Sequence, residues 1–385
     1  MLRKLQQHFT RNLYAYGAFF AAAVILLIAY IVFWKTDGSW SILALDLNAQ
    51  YIYYYEYLKD VFLGKESLIY SWSRNGSGEF LGIVGYYLAS PFNLIVMAFP
   101  RDLILEGMLV MFCVKVGAIA TFMAVFLHKG KGLSQGLAFT FSLMYALNSY
   151  VIENTMNPMW LDGVMILPFI VWGIESLIEK GRFKMLAISL FYAFITHFYI
   201  GFMLAIFTVL YFLFYWFYTD EKGLSFFTKL KRWVVFAVTC ISSGLSSMFI
   251  LLPVYAGLSN GKFAFSSYDA GELLLKGKFK ELGQFVSAEF ELFRPLVKFL
   301  PNSYDTVRME GMPFLFCGTV TLVLAVAYFI GAQKNMRKLG SAFALLFVLG
   351  ASMYIHLLDM LWHGGQAPNW LPYRFSFCIS FLFCL

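Results

Sequence analysis

The stretch from Trp40 to Lys59, WSILALDLNAQYIYYYEYLK, combines a carboxylate with an amide and several phenols. Five of its polar side chains recur at spacings of three and four residues: Asp46, Gln50, Tyr53, Tyr54 and Tyr57. On a helix these side chains share one face. We interpret the stretch as an element at the outer membrane surface that carries a reacting carboxylate, Asp46. The alternative is an amphipathic interfacial helix whose tyrosines lie at headgroup depth.

The composition is that of a polytopic membrane protein. Of 385 residues, 60% are hydrophobic and 13% are charged, and the mean hydropathy is +0.70. Soluble domains carry about 25% charged residues. The formal charge of +7 does not indicate a nucleic-acid partner, because lysine and arginine mark the cytoplasmic segments of membrane proteins. The five cysteines lie in apolar runs without the spacing of a disulfide framework or a metal site.

Apolar runs of suitable length predict an all-α bundle of transmembrane helices. The runs are Tyr14–Trp34, Leu103–Leu127, Leu133–Val151, Val164–Ile178, Met185–Tyr218, Trp233–Leu252, Pro313–Gly331 and Ser341–Leu361, and another begins near Leu371. The first run spans about 20 residues, which suits a retained helix better than a cleaved signal peptide. We expect residues 1–385 to form a single transmembrane domain. Because the chain stops inside an apolar run, we also expect it to be the N-terminal part of a longer protein.

The distribution of lysine and arginine predicts the topology. Every short basic segment falls on the cytoplasmic side if the N-terminus is inside, if Phe80–Phe99 does not cross, and if Met185–Tyr218 is a hairpin broken near His197. Residues 35–102 then form a first outer loop with surface or re-entrant helices. Residues 255–312 form a second outer loop, which is long enough to be weakly constrained by charge. The protein is therefore expected to be a multi-pass component of the cell membrane.

This topology gathers unusual polar residues from distant segments on the outer face. They are Asp46, Gln50, Arg74, Asn154, Asn157, Asp162, His197, His363, Gln366, Asn369 and Arg374. Such convergence predicts an extracytoplasmic catalytic pocket. A transporter is instead expected to place its key polar residues near the membrane midplane. Few charges lie inside the predicted helices, apart from Lys115 and Glu106, and Lys115 requires a partner there.

Several of these residues also have a purely structural interpretation. Asp162 could be a helix N-cap, and His197 could be hydrogen-bonded within the bundle. Arg374 could reach lipid headgroups, although an arginine at the start of a helix favours an anion such as phosphate. The segment Asn75–Gly78 is typical of a turn. Three tryptophans are expected to be interfacial anchors: Trp160, Trp362 and Trp370.

Longer motifs distributed along the chain resemble one known family. They are DLNAQY, YYLASPFNL, NPMWLDGVMILPFIVWGIE, THFYIGFM and HGGQAPNWLPYRFSF, and together they are similar to the YfhO-type bacterial membrane proteins. That family in turn resembles glycosyltransferases of the GT-C fold. Those enzymes take a sugar from a polyprenyl-phosphate carrier at the outer membrane face and carry a catalytic carboxylate in the first outer loop. Asp46 matches that position.

The resemblance implies an inverting transfer of sugar to a cell-wall polymer such as a teichoic acid. Asp46 would be the general base, and Arg374, or secondarily Arg74, would stabilise the leaving phosphate. Cofactors are not indicated, but Asp46, Asp162 and His197 are candidate ligands for a divalent metal, although their spacing is not specific. Two alternatives stay open. One is a lipid or polysaccharide transporter or flippase, and the other is a non-catalytic protein of envelope assembly.

Overall fold

A computed structural model describes residue 7 and residues 10–37, 42–73, 77–219, 223–259, 313–332, 335–365 and 371–385. Several residues from the sequence predictions lie outside these ranges: Arg74, Asn75, Gly76, Gln366, Asn369 and Trp370. Most of the second outer loop lies outside them too.

The described residues form α-helices joined by short irregular segments. The helices are α1 (Leu13–Asp37), α2 (Ile52–Phe62), α3 (Leu81–Ile83), α4 (Asn93–Ala98), α5 (Ile104–Val125), α6 (Gln135–Ala146), α7 (Ser149–Glu153), α8 (Leu161–Lys180), α9 (Lys184–Thr196), α10 (Phe198–Tyr218), α11 (Phe226–Ser246), α12 (Met248–Ser259), α13 (Thr319–Ala332), α14 (Met336–Tyr354), α15 (His356–Trp362) and α16 (Phe377–Cys384). Single π-helical turns span Leu47–Tyr51, Val84–Leu88 and Phe126–Gly130, and 3₁₀ turns span Arg101–Leu103, Asn154–Met156 and Arg374–Ser376. Two short antiparallel strands, β1 (Tyr70–Ser71) and β2 (Gly78–Glu79), pair Tyr70 with Glu79.

The predicted fold class is confirmed: the chain is an all-α polytopic membrane protein. Within the described part, five helical segments are long and apolar enough to cross a membrane: Leu13–Val32, Arg101–Gly130, Leu161–Lys180, Phe198–Tyr218 and Met336–Tyr354. The pair α11 and α12 forms a further candidate span that is bent by 66°. The run Leu133–Val151 is not one helix, because it breaks between α6 and α7, where the Asn148 side chain accepts a hydrogen bond from Val151 N.

The helices α9 and α10 form an antiparallel hairpin with His197 at its tip. Along α8, Leu186 packs on Gly173 and Tyr192 bonds to Asp162, so α9 runs antiparallel to α8. In the next helix, Ile200 packs on Gly163 and Tyr211 bonds to Glu175, so α10 runs parallel to α8. The chain therefore turns at the position where the sequence places the break. The tip lies at the N-terminal end of α8.

The segment 80–99 contains only short helical pieces. The turns Leu81–Ile83 and Val84–Leu88 form one piece and Asn93–Ala98 forms the other, separated by Ser90 and Pro91. A membrane span needs about 20 helical residues, so neither piece could cross on its own.

The described residues of the short basic segments predicted to be cytoplasmic, within 3–11, 128–131, 179–184, 219–232 and 333–338, lie at one end of the bundle. The backbone of Arg11 contacts Gln135, and Lys131 pairs with Glu175. Arg232 donates to the carbonyl groups at the C-terminal end of α8, and Arg337 and Lys338 contact the C-terminal end of α10. The His197 tip lies at the opposite end of α8. Because α8 has 20 residues, the two ends are about 30 Å apart, which matches the hydrocarbon core of a bilayer.

The close contact between α8 and α9 depends on Gly173. A Cβ atom at this position would lie 2.6 Å from Leu186 N. We expect Gly173→Ala to lower the free energy of unfolding by about 1–3 kcal/mol, because backbone atoms would have to move apart. Gly244 of α11 is the matched control, since a Cβ atom there meets nothing within 4 Å and alanine favours a helix by about 1 kcal/mol. Thermal unfolding in detergent compares the two; equal midpoints would contradict the prediction.

Candidate functional site

Asp46 is an exposed carboxylate at the start of a π-helical turn. In the turn Leu47–Tyr51, the backbone N–H of Ile52 bonds to Leu47 O, five residues back. This wider turn brings side chains five residues apart together, and π-turns occur frequently at functional sites. The Tyr51 hydroxyl consequently lies 3.3 Å from Asp46 Oδ2. Gln50, four residues after Asp46, instead bonds to Tyr54.

Tyr51 connects Asp46 to the loop that precedes α8. Its hydroxyl also lies 3.2 Å from Asn157 Oδ1, so its single proton has two acceptors. Asn157 Nδ2 in turn lies 3.4 Å from Asn154 Oδ1, and Asn154 Nδ2 donates to Tyr150 O at 2.9 Å. Asn154 and Asn157 are both buried. The two asparagines therefore connect the segment carrying Asp46 to the helix bundle.

The same loop is also held in place by a buried ion pair. Lys115 Nζ lies 2.6 Å from Asp162 Oδ2 and 2.7 Å from Pro158 O. Asp162 Oδ1 accepts from Ser90 at 2.9 Å and from Tyr192 at 2.7 Å. Lys115 thus has the partner that its position required. Asp162 is not an N-cap, because it lies inside the first turn of α8 and its oxygens bind other elements.

Tyr86 and Tyr87 form the wall between Asp46 and Arg374. Their rings lie 4.4 Å apart, and the Tyr87 ring lies 4.9 Å from Tyr51. Burial raises the pKa of Tyr86; the Arg374 charge opposes this shift and the Asp46 charge adds to it. An acidic and a basic side chain therefore both act on the same phenol.

Arg374 is held between two aromatic rings. Its guanidinium carbon lies 5.0 Å from the Trp160 ring centre and 5.1 Å from that of Tyr199, in the range of a cation–π contact. Its Nε donates to Leu371 O at 3.1 Å. The prediction that Trp160 and Trp362 are interfacial anchors is wrong: both are buried, because Trp160 packs on Arg374 and Trp362 stacks on Phe375 at 4.6 Å.

Backbone strain is concentrated next to Asp46 and next to Arg374. The non-glycine residues with positive φ in the described ranges are Leu45, at 46°, Leu371, at 55°, and Tyr373, at 59°. Such conformations cost about 1–3 kcal/mol each and cluster at functional sites. One immediately precedes Asp46 and the other two precede Arg374. The fold therefore maintains unfavourable backbone to place these two side chains.

Two buried histidines complete the arrangement. The His197 ring lies 4.5 Å from Tyr86, and the His363 ring lies 6.0 Å from Tyr199. Burial, reinforced by the Arg374 charge, lowers the pKa of His197 to about 3. Burial lowers the pKa of His363 to about 4; its bond to Asp359 O opposes this shift and the Arg374 charge adds to it. Both rings are therefore neutral at physiological pH.

These histidines predict a loss of stability in acid. Unfolded histidine titrates near pH 6.5, so below that pH the unfolded chain binds protons that the folded chain does not. Stability is then fully present above about pH 6.5 and falls towards pH 4, by up to about 1.4 kcal/mol per pH unit for each histidine. Thermal unfolding in detergent across this range measures the slope. His197→Asn retains an N-cap residue and should have a shallower slope; identical slopes would contradict the assignment.

The metal hypothesis is not supported by the positions of its three ligands. Both oxygens of Asp162 are occupied by Lys115, Ser90 and Tyr192. Nδ1 of His197 accepts from Ile200 N at 3.0 Å. Among the described residues, no group of three histidine, cysteine, aspartate or glutamate side chains is arranged to hold a metal ion.

The structure thus assembles part of the predicted set. Asp46 and Asn157 contact Tyr51, His197 packs on Tyr86, the Arg374 charge acts on Tyr86, and His363 lies beside Tyr199. Asp162 and Asn154 are buried and hold the loop that precedes α8. Gln50 contacts Tyr54, whose ring lies 5.0 Å from Tyr87. The sequence interpretation missed Tyr51, Tyr86, Tyr87 and Tyr199. The one available signal was the density of tyrosines in the segments that also carry Asp46, Pro91 and His197.

The comparison with known protein families identifies the family of this chain but not its activity. A family description, bacterial membrane protein YfhO, matches residues 18–385. The chain belongs to the YfhO family. No curated protein and no solved structure matches it. The activity of this YfhO member therefore has to be inferred from its own residues, above all from Asp46, Arg374 and the tyrosine wall between them.

Proposed function

We propose that this YfhO chain is a GT-C-like membrane glycosyltransferase, which moves a sugar from a polyprenyl-phosphate donor to an extracytoplasmic acceptor such as a teichoic acid. The observation that carries the proposal is that the charges of Asp46 and Arg374 act on the same phenol, Tyr86. An exposed carboxylate and an aromatic-flanked guanidinium face the same tyrosine wall, and each follows strained backbone. A base and an anion-stabilising cation are the two groups that displacement of a phosphate from a sugar needs.

The proposed reaction is a single inverting displacement. Asp46 takes the proton of the acceptor hydroxyl as its oxygen bonds to the anomeric carbon. The bond from that carbon to the phosphate oxygen breaks, and its electron pair leaves with the polyprenyl phosphate. Arg374 stabilises the charge that develops on the phosphate. The phenols of Tyr51, Tyr86 and Tyr87 offer faces and hydroxyl groups on which a sugar ring can stack and bond.

The distribution of charge supports an outward-facing site. The basic segments lie at the end of α8 that carries Lys180, and the proposed site lies at the end that carries Trp160. By the positive-inside rule the basic end is cytoplasmic. The N-terminus would then be cytoplasmic and the site extracytoplasmic, where lipid-linked sugars and wall polymers meet.

A transporter or flippase finds less support in the described bundle. Such a protein needs polar groups along a path across the membrane. The buried charges of the spans are paired within the protein: Lys115 binds Asp162, and Glu175 binds Lys131 and Tyr211. These pairs stabilise helix contacts between α5, α8 and α10 and the turn after α5.

Reconstitution of the full-length protein tests the proposal. Proteoliposomes are supplied with polyprenyl-phosphate sugars radiolabelled in the sugar, together with isolated wall polymers. A glycosyltransferase releases the lipid phosphate and makes the polymer radioactive. Movement of intact labelled lipid between leaflets without any labelled polymer would instead identify a flippase.

A further inference from the structure

The two histidines beside Arg374 present opposite hydrogen-bonding groups to their surroundings. Nδ1 of His197 accepts the backbone N–H of Ile200 at 3.0 Å. An accepting ring nitrogen carries no proton, so neutral His197 holds its proton on Nε2. Its Nε2 is therefore a donor.

His363 has the other tautomer. Its Nδ1 lies 2.7 Å from the carbonyl oxygen of Asp359, which can only accept. The proton is therefore on Nδ1, and the Asp359 carboxylate, 3.4 Å away, favours it there. Nε2 of neutral His363 consequently carries a lone pair and is an acceptor.

Both Nε2 atoms are buried and have no hydrogen-bond partner in the described part of the chain. His197 is 1% exposed and His363 is 4% exposed. A buried polar atom without a partner costs about 1–3 kcal/mol. The two rings lie 6.5 Å and 6.0 Å from Tyr199, and Tyr199 packs on Arg374. One donor and one acceptor thus lie near the same tyrosine ring, and that ring packs on the Arg374 guanidinium.

We propose that His197 and His363 divide the recognition of one phosphorylated sugar. Nε2–H of His197 donates to a phosphate oxygen that Arg374 also binds. Nε2 of His363 accepts a hydroxyl group of the sugar. Neither histidine contributes a charge. The guanidinium therefore supplies the positive charge, and the imidazoles supply directional hydrogen bonds. This inference rests on the proposed function, because it names the chemistry of the same site.

Asparagine substitutions separate the recognition atoms from the structural ones. Asparagine at position 197 retains an oxygen that can cap Ile200 N, but it has no group at the position of Nε2. Asparagine at position 363 retains an N–H for Asp359 O and likewise has no group at Nε2. Both full-length variants should therefore fold like the wild-type protein. Circular dichroism and thermal unfolding at pH 7.5 verify this.

Binding of farnesyl phosphate distinguishes the two roles, because this probe has a phosphate and no sugar hydroxyl. In phosphatidylcholine nanodiscs, His197→Asn should weaken its binding about tenfold or more, as expected for a lost bond to a charged group, and His363→Asn should leave it unchanged. Inorganic phosphate and phosphatidic acid as competitors show whether the prenyl chain contributes. No saturable binding to the wild-type protein, no effect of His197→Asn, or an equal loss in both variants would overturn the proposal.

Nuclear magnetic resonance of ¹⁵N-histidine-labelled protein provides an independent test of the tautomers. His197 should carry its proton on Nε2 and His363 on Nδ1, with the two asparagine variants assigning the signals. The same tautomer at both positions would overturn the proposal. If the binding pattern is as expected but the wild-type protein transfers no sugar, the proposed function fails while the division of roles between the histidines holds.

Discussion

Asp46→Asn in the full-length protein is expected to abolish sugar transfer without affecting folding. The substitution keeps the size of the side chain and removes its ability to take a proton. General-base catalysis contributes about 10²–10⁴-fold to a rate, so polymer glycosylation should fall below detection. Because Asp46 is exposed and Tyr51 can still donate to the new amide oxygen, stability should change little. The measurement is the sugar content of wall and membrane polymers isolated from a deletion host that expresses the variant.

Asp102→Asn is the matched control for this experiment. Asp102 is also an exposed carboxylate, and it precedes α5 at the end of the bundle opposite the basic segments. It lies in no contact with the tyrosine wall that the structure describes. Normal glycosylation with Asp102→Asn and none with Asp46→Asn, at equal protein levels in the membrane, supports the base. Wild-type glycosylation with Asp46→Asn would sink the mechanism and favour the interfacial or envelope-assembly interpretation.

The sequence suggested Asp46 as a candidate base, which stays a prediction, but it did not identify Tyr51, whose hydroxyl lies against the Asp46 carboxylate. Helical spacing of three and four assigned Gln50 and Tyr54 to the same face, whereas the observed neighbour is Tyr51, five residues away. A π-turn changes which side chains lie on the same helix face. It depends on tertiary packing rather than on a local sequence pattern. The same limit applies to Trp160: a tryptophan near a helix start usually marks the membrane interface, but here its ring covers Arg374.

Charge was the more reliable guide to long-range structure. The cost of an unpaired lysine in a span predicted a partner for Lys115, although the sequence could not identify Asp162 among the candidate carboxylates. The clustering of basic segments required the break near His197, and the hairpin turns at that residue. In both cases the physical penalty is large enough to restrict the fold. The preferences that orient single side chains at the site are weaker, so the sequence is compatible with several arrangements of those side chains.

The stability of the loop that precedes α8 should depend strongly on Lys115, because the Lys115 ammonium group holds both Asp162 and the Pro158 carbonyl. Lys115→Met leaves a buried carboxylate without its cation, and breaking such a pair costs about 3–5 kcal/mol. The thermal unfolding midpoint in detergent should fall clearly. Lys129→Met is the control, because Lys129 is exposed at the basic end and should be replaced with little effect.

A second substitution separates the charge from the position of the loop. In Lys115→Met with Asp162→Asn, both charges are gone, and the introduced amide oxygen can still accept hydrogen bonds from Ser90 and Tyr192. Removing both partners of a buried pair is often nearly neutral, so the double variant should be more stable than Lys115→Met alone. Sugar transfer should stay low, because Pro158 has lost its anchor and Asn157 and Trp160 lie on either side of it. A double variant no more stable than Lys115→Met would mean that the ion pair is not what holds this loop. Recovery of both stability and sugar transfer would mean that Lys115 is needed only to neutralise Asp162 and not to position the loop at the site.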